Sequence, residues 1–295
     1  MSTERQEMIL CAGMQSGGTS LISWCFLQRG DTNGVLDMDN SVIQTRFDAV
    51  RSRYLWVKMT IGSFRWLDVA GIYTDLGYRI KPLLVVRDPR FVYASLAGKY
   101  YGINGNTAED PPLRMRFRRF LEDWVHFSEN GWPILVFENF VNNPITELHA
   151  LTDSLGVQWD DSMLAWGKPA AAISYVKGGN ETFLDSVEQG ENLEKALLRN
   201  TVGHPARALP ESELNWLEET FSSFNRINGY PEHLADIWTS DISPPAPEYN
   251  PTRRKEWVDQ YSDMKSRLDR IRRHALFGPL IRFWACCINR DYKVF

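Results

Sequence analysis

Short apolar runs alternate with stretches in which apolar residues return every three or four positions, and this alternation fills roughly the first 160 residues. The runs predict strands over 8–13 (MILCAG), 35–38, 54–60 (YLWVKMT), 83–86 (LLVV, preceded by Pro82) and 134–137 (ILVF). Helical spacing follows four of the runs: 21–28 after the first, 64–76 after the third, 92–99 and 113–129 after the fourth, and 142–156 after the fifth. Pro144 stands where the last of these should begin and Gly156 where it should stop. The strands are continuously apolar, not alternating apolar and polar. That is the signature of a parallel sheet covered by helices on both faces, a three-layer α/β/α arrangement.

Residues 161–234 read as helices and loops that close this domain. The pattern then breaks at 240–251 (SDISPPAPEYNP), too rich in proline for either regular element. Three parts are therefore expected: an α/β domain over 1–234, a proline-rich connector over 235–251, and a helical extension over 252–295. In the extension Trp257, Tyr261, Met264, Leu268 and Ile271 recur at helical steps among basic residues. This helix is a candidate for self-association, for packing on the domain, or for peripheral contact with an anionic membrane. The apolar run 275–288 is interrupted by Arg282 and is too short to span a bilayer.

Composition narrows the classes. Of 295 residues, 43% are hydrophobic and 24% charged, as in ordinary folded chains. The net charge of −4 gives no basic footprint for nucleic acid, so any anion must be held by a local site. The four cysteines, Cys11, Cys25, Cys286 and Cys287, form no C-x-x-C pair, and no histidines lie at metal-ligand spacing. No metal and a reducing, cytoplasmic setting are expected. The polar segment 1–7 has no secretory h-region.

The chemistry is concentrated at two strand ends. After the first strand comes Met14-Gln15-Ser16-Gly17-Gly18-Thr19-Ser20, then a helix. A glycine loop there offers unpaired amides at the positive end of the helix dipole, a cradle for an anion. Ser16, Thr19 and Ser20 add hydroxyls. Gly13 and Gly18 have the spacing of a nucleotide-hydrolase P-loop, but Thr19 stands where that motif needs lysine, which disfavours an ATP or GTP hydrolase. The plain alternative is an ordinary β–α turn. At the end of the fourth predicted strand stands Arg87, followed by Asp88-Pro89-Arg90 and, eight residues after Arg87, Ser95. An arginine at the carboxyl edge of a parallel strand points into the crevice where such sheets bind ligands, and it pairs well with phosphate. A surface Arg–Asp pair is the alternative.

Taken in order, these segments resemble the nucleotide site of the sulfotransferases that use 3′-phosphoadenosine-5′-phosphosulfate (PAPS). The first loop is similar to that family's P-[KR]-S-G-T-[TS], and Arg87-Asp88-Pro89-Arg90 with Ser95 to its R-D-P-R…S segment. Residues 133–140 (PILVFENF) with Asn143-Pro144, then Leu155-Gly156-Val157, and Asn228-Gly229-Tyr230-Pro231 resemble further marks of the family. The likeness spans about residues 8–233. It implies a P-loop-like α/β fold and PAPS as donor, with 3′-phosphoadenosine-5′-phosphate (PAP) as product. It implies that Gln15 and Ser16 through Ser20, including Gly17, Gly18 and Thr19, hold the 5′-phosphosulfate. It implies that Arg87 and Ser95 hold the 3′-phosphate. Lys177, Gly178 and Gly179 correspond to a late basic glycine loop over the donor.

One departure matters. The family usually has lysine or arginine where this chain has Gln15, which brings no charge to a leaving phosphate. Lys58, near the end of the third strand, is the expected substitute; Thr60 stands where some members have a histidine base. Asp37 and Asp39 lie at the end of the second strand, the neighbourhood in which some bacterial members with sugar acceptors place a carboxylate base. Turn chemistry alone also explains them. His126 on the long helix is an outside candidate. The expected reaction is sulfuryl transfer to a hydroxyl of a carbohydrate, lipid or secondary metabolite. A donor-binding relic without catalysis and a nucleotide-dependent kinase are the competing readings.

Overall fold

A computed structural model describes residues 6–38, 47, 52–62, 64–96, 112–173, 183–199 and 209–231. Asp39, the loop of Lys177, Gly178 and Gly179, the connector and the C-terminal extension lie outside the described residues.

Five parallel strands form one sheet in the order β2-β3-β1-β4-β5. They are β1 (Glu7–Gly13), β2 (Thr32–Val35), β3 (Tyr54–Thr60), β4 (Arg79–Val86) and β5 (Ile134–Val136). β1 lies at the centre, paired over its whole length with β3 on one side and β4 on the other. From β1 the chain runs first to one side of it and then to the other. The carboxyl end of β1 is thus a topological switch point, the place where such sheets bind ligands.

The sheet is buried on both faces, because each strand sends alternate residues into two separate apolar clusters. Met8, Leu10, Leu55, Val57, Leu84 and Val86 face α2 (Trp66–Asp75), α3 (Pro89–Leu96) and α4 (Pro112–Glu129). Ile9, Cys11, Trp56, Leu83 and Val85 face α1 (Thr19–Leu27), α5 (Phe137–Asn142), α6 (Pro144–Leu155) and α7 (Ser162–Ala165). A 3-10 turn at Ala170–Ala172 and α8 (Leu193–Arg199) continue on the second face, while α9 (Glu211–Thr220) and α10 (Ser222–Asn228) close the first. The expected three-layer α/β/α class with a parallel sheet is what the chain forms.

The differences from expectation that bear on the sheet lie at β2, β4 and β5. β2 starts and ends three residues earlier than the apolar run suggests. Gly34 belongs to it, with φ of 147° and the carbonyl of Trp56 only 1.9 Å from where a Cβ would sit, so no other residue fits the pairing. β4 begins at Arg79 and passes through Pro82. Leu84 N–H donates to Pro133 O toward β5. By strand alternation the N–H that Pro82 lacks would point the same way, at a level where β5 has not begun, so no ladder bond is lost. Phe137 leaves the predicted strand and opens the short helix α5.

Among the described residues, no helix is long and apolar enough to cross a membrane.

Candidate functional site

The loop between β1 and α1 sits at the switch point. Gly17 N–H closes a turn on Met14 O at 2.9 Å, and Leu21 N–H turns back to Gly18 O at 3.1 Å. The N–H groups of Gly18, Thr19 and Ser20 precede the first intrahelical bond, and no side chain caps the helix. That leaves a row of donors at the positive end of α1. Ser16 holds a left-handed φ of 64° although it is not glycine, a strain of the kind found at binding sites. Gly18 has φ of 89°, and a Cβ there would lie 2.1 Å from the Phe137 ring. The ring of Phe137 therefore closes one side of the loop. Thr19 is buried, whereas Gln15, Ser16 and Ser20 remain partly exposed.

The second element converges on the same place. Arg87 Nη1 donates to Ser16 O at 2.9 Å, and Ser95 Oγ lies 3.2 Å from Ser16 Oγ. Residues 71 and 79 positions away in sequence thus meet one loop residue. The Arg87 guanidinium lies over the Phe137 ring, 5.1 Å from its centroid. Burial lowers the Arg87 pKa from its usual value, opposed by Glu138, Tyr230 and Asp88, and the group stays a cation.

The turn that presents Arg87 is built from buried charge. Asp88 precedes Pro89 at the start of α3, and its Oδ1 accepts both the N–H and the Nε–H of Arg90 at 2.9 Å. Its Oδ2 accepts Arg90 Nη2 at 2.7 Å. This is helix capping and a bidentate ion pair in one, with Arg90 fully buried. The sequence alternative of an exposed Arg–Asp pair does not hold: the Asp88–Arg90 pair is interior, and Arg87 is turned to the loop.

Lys58 projects toward the α1 face of the sheet, level with Cys11 of β1, and is buried. Its Nζ lies 3.0 Å from Asp37 Oδ1, with the Asp37 side chain 27% exposed. Two of the three residues expected to act in catalysis are therefore partners. The backbone supports the pairing, since Met38 N–H donates to Lys58 O at 3.0 Å. His126 stands apart from this group on α4, packed edge-on against Trp132.

Sequence reasoning gave no role to Phe137, Glu138 or Tyr230. Glu138 Oε1 accepts Asp88 N–H at 3.1 Å, and its Oε2 accepts the Tyr230 hydroxyl at 2.8 Å. Burial raises the pKa of Glu138, and the bonds from Asp88 and Tyr230 oppose it. The segments FENF and NGYP signalled these residues only as marks of resemblance, because the contact joins positions 92 apart.

Chemically, the site offers a row of amides, the hydroxyls of Ser16, Ser20 and Ser95 and a guanidinium around one loop, with a buried lysine paired to a part-exposed carboxylate beside it. It is equipped to hold a ligand with more than one anionic group.

No family model matches the chain, and no curated protein matches its sequence. Among solved structures, the sulfotransferase domain from the curacin biosynthetic pathway is 14% identical with a TM-score of 0.48, covering 74% of this chain and 99% of its own. The sulfotransferase domain of the Synechococcus PCC 7002 olefin synthase is 14% identical with a TM-score of 0.45, covering 75% of this chain and 97% of its own. A sulfotransferase from Alicyclobacillus acidocaldarius is 12% identical with a TM-score of 0.42, covering 81% of this chain and 100% of its own.

Proposed function

We propose that this chain is a PAPS-dependent sulfotransferase acting on a hydroxyl of a carbohydrate, lipid or secondary metabolite. One observation carries the reading: Arg87 and Ser95 close on Ser16, the strained residue of the loop at the switch point. A donor with phosphate groups on both sides of one ribose needs two anion sites set side by side, and this is such a pair. The left-handed φ of Ser16 and Gly18 fits a loop whose successive amides turn toward an anion. When bound, PAPS supplies an activated sulfuryl group, which passes to the acceptor with release of PAP.

The residues divide the work. The amides of Gly18, Thr19 and Ser20, with the hydroxyls of Ser16 and Ser20, hold the phosphosulfate end. Arg87 and Ser95 hold the 3′-phosphate. On this reading Lys58 supplies the positive charge that Gln15 does not, offsetting charge on the leaving phosphate oxygen. Asp37 takes the proton of the acceptor hydroxyl; its partial exposure leaves it open to an acceptor, and the ion pair with Lys58 orients its carboxylate.

The Lys58–Asp37 pair also favours a second reading, a donor-binding protein without turnover, because each group satisfies the other. Calorimetric titration with PAP and with ATP, followed by transfer of labelled sulfate from PAPS to a panel of hydroxyl acceptors, separates the readings. Tight PAP binding with labelled product supports the transferase. Binding of PAP with no transfer to any acceptor supports the second reading. Preference for ATP over PAP would sink both. Arg87→Ala should weaken PAP about 10- to 100-fold, the loss of a charged hydrogen-bonded contact worth about 1.5–3 kcal/mol.

A further inference from the structure

The Tyr230 hydroxyl is bound to a carboxylate that stands beside the site's own cation. Glu138 directly follows Phe137, so one short turn supplies both the ring under Arg87 and a carboxylate whose charge acts on Arg87. Left to itself, a half-buried carboxylate turns toward the nearest cation. In this fold it does not: one oxygen is taken by the Asp88 N–H and the other by the Tyr230 hydroxyl. Arg87 instead reaches Ser16 O. Tyr230 is itself held by its stack on Phe224, with centroids 5.9 Å apart and planes 19° from parallel.

On the reading above that Arg87 binds the donor's 3′-phosphate, we infer that Tyr230 is a positioning residue for that phosphate: by holding Glu138 on the Asp88 N–H it keeps the carboxylate off Arg87. On this reading the hydroxyl acts through Glu138 and not by contact with the donor. It settles a competition between two anions, Glu138 and the incoming phosphate, for one guanidinium. It also makes the last described segment part of the donor site, since the clasp forms only when residues 209–231 have closed over the sheet.

The test compares PAP with AMP, which lacks the 3′-phosphate, by calorimetric titration of the full chain and its variants. The wild type should bind PAP at least tenfold more tightly than AMP. Equal binding would overturn the assignment of Arg87 to the 3′-phosphate, and this inference with it. Tyr230→Phe keeps the stacked ring and deletes only the hydroxyl. It should lose about tenfold for PAP with AMP unchanged. With wild-type discrimination intact, an unaltered PAP affinity, or an equal loss on both nucleotides, overturns the positioning role alone. Tyr230→Phe combined with Glu138→Gln should recover PAP affinity, because a neutral amide does not compete for the guanidinium; failure to recover also overturns it. Glu138→Asp is a second, independent variant. It keeps the charge but draws it back by one methylene, out of reach of both donors at once, and should show the same loss confined to PAP. An unchanged PAP affinity in that variant counts against the inference.

Discussion

Gly18 shows how a single missing side chain shapes the site. Its φ of 89° disfavours any other residue, and Phe137 occupies the space a side chain would need. Gly18→Ala should cost about 1–3 kcal/mol in backbone strain, with an overpacking cost of similar size. Urea denaturation measures the loss, and PAP titration should show binding falling with it. Asp123 is a second residue whose setting fixes its behaviour. It accepts the Trp66 N–H at 2.8 Å at the start of α2, and burial raises its pKa from 3.8 to about 6. Near pH 3 the carboxyl is protonated in both folded and unfolded chains. As pH rises from 3.8 to about 6 the unfolded chain ionises first, so stability falls, and above about 6 the deficit is constant. A difference of about two pH units corresponds to about 3 kcal/mol. Asp123→Asn should therefore flatten the decline in urea midpoint between pH 4 and 6. An unchanged slope would contradict this account.

At the level of elements, the turn from β4 into α3 is the part most dependent on internal charge. Asp88 caps the helix and neutralises Arg90, which is 0% exposed and has its other nitrogen 3.6 Å from Glu218 of α9. Asp88→Ala removes a cap and leaves the buried cation with only its longer contact to Glu218, so it should destabilise the fold by about 3 kcal/mol, read from the thermal midpoint. Some elements were legible and others were not, for physical reasons. β3 coincides with its predicted span because YLWVKMT is rich in strand formers and buried on both faces. β2 was misplaced because TNGV reads as a turn, and only the partner carbonyl of Trp56 shows why Gly34 must pair. β4 was cut short at Pro82 because sequence does not show which edge of a strand lacks a neighbour. The β1–α1 glycine loop and Arg87 were legible as neighbours because short spacings place them at strand ends. The Lys58–Asp37 bond was not, since two residues assigned to one crevice need not touch. Glu138 and Tyr230 were invisible as a pair for the same reason, across a longer gap.

Across the whole molecule, the closing helices are packed as core and are not an accessory. Leu217, Phe221 and Phe224 are fully buried, and the rings of Phe221 and Phe224 interlock with Phe117, Phe120 and Trp124 of α4. Glu213 of α9 accepts Arg114 Nη2 of α4 at 2.7 Å and the Tyr93 hydroxyl of α3. A chain ending before Leu209 should therefore expose the apolar face of α3 and α4 and fail to fold cooperatively. Loss of a sigmoidal thermal transition with gain of dye binding would be the expected result; a sharp transition would show that α9 and α10 are dispensable.

The place of β1 in the middle of the sheet has a consequence for how the protein breathes. Opening from either margin must consume β2 and β3, or β5 and β4, before it reaches the strand that carries the glycine loop. The glycine loop is thereby anchored in the last region to let go. On the proposed function, edges and loops can loosen to admit an acceptor while the donor stays held, so entry of one substrate need not release the other.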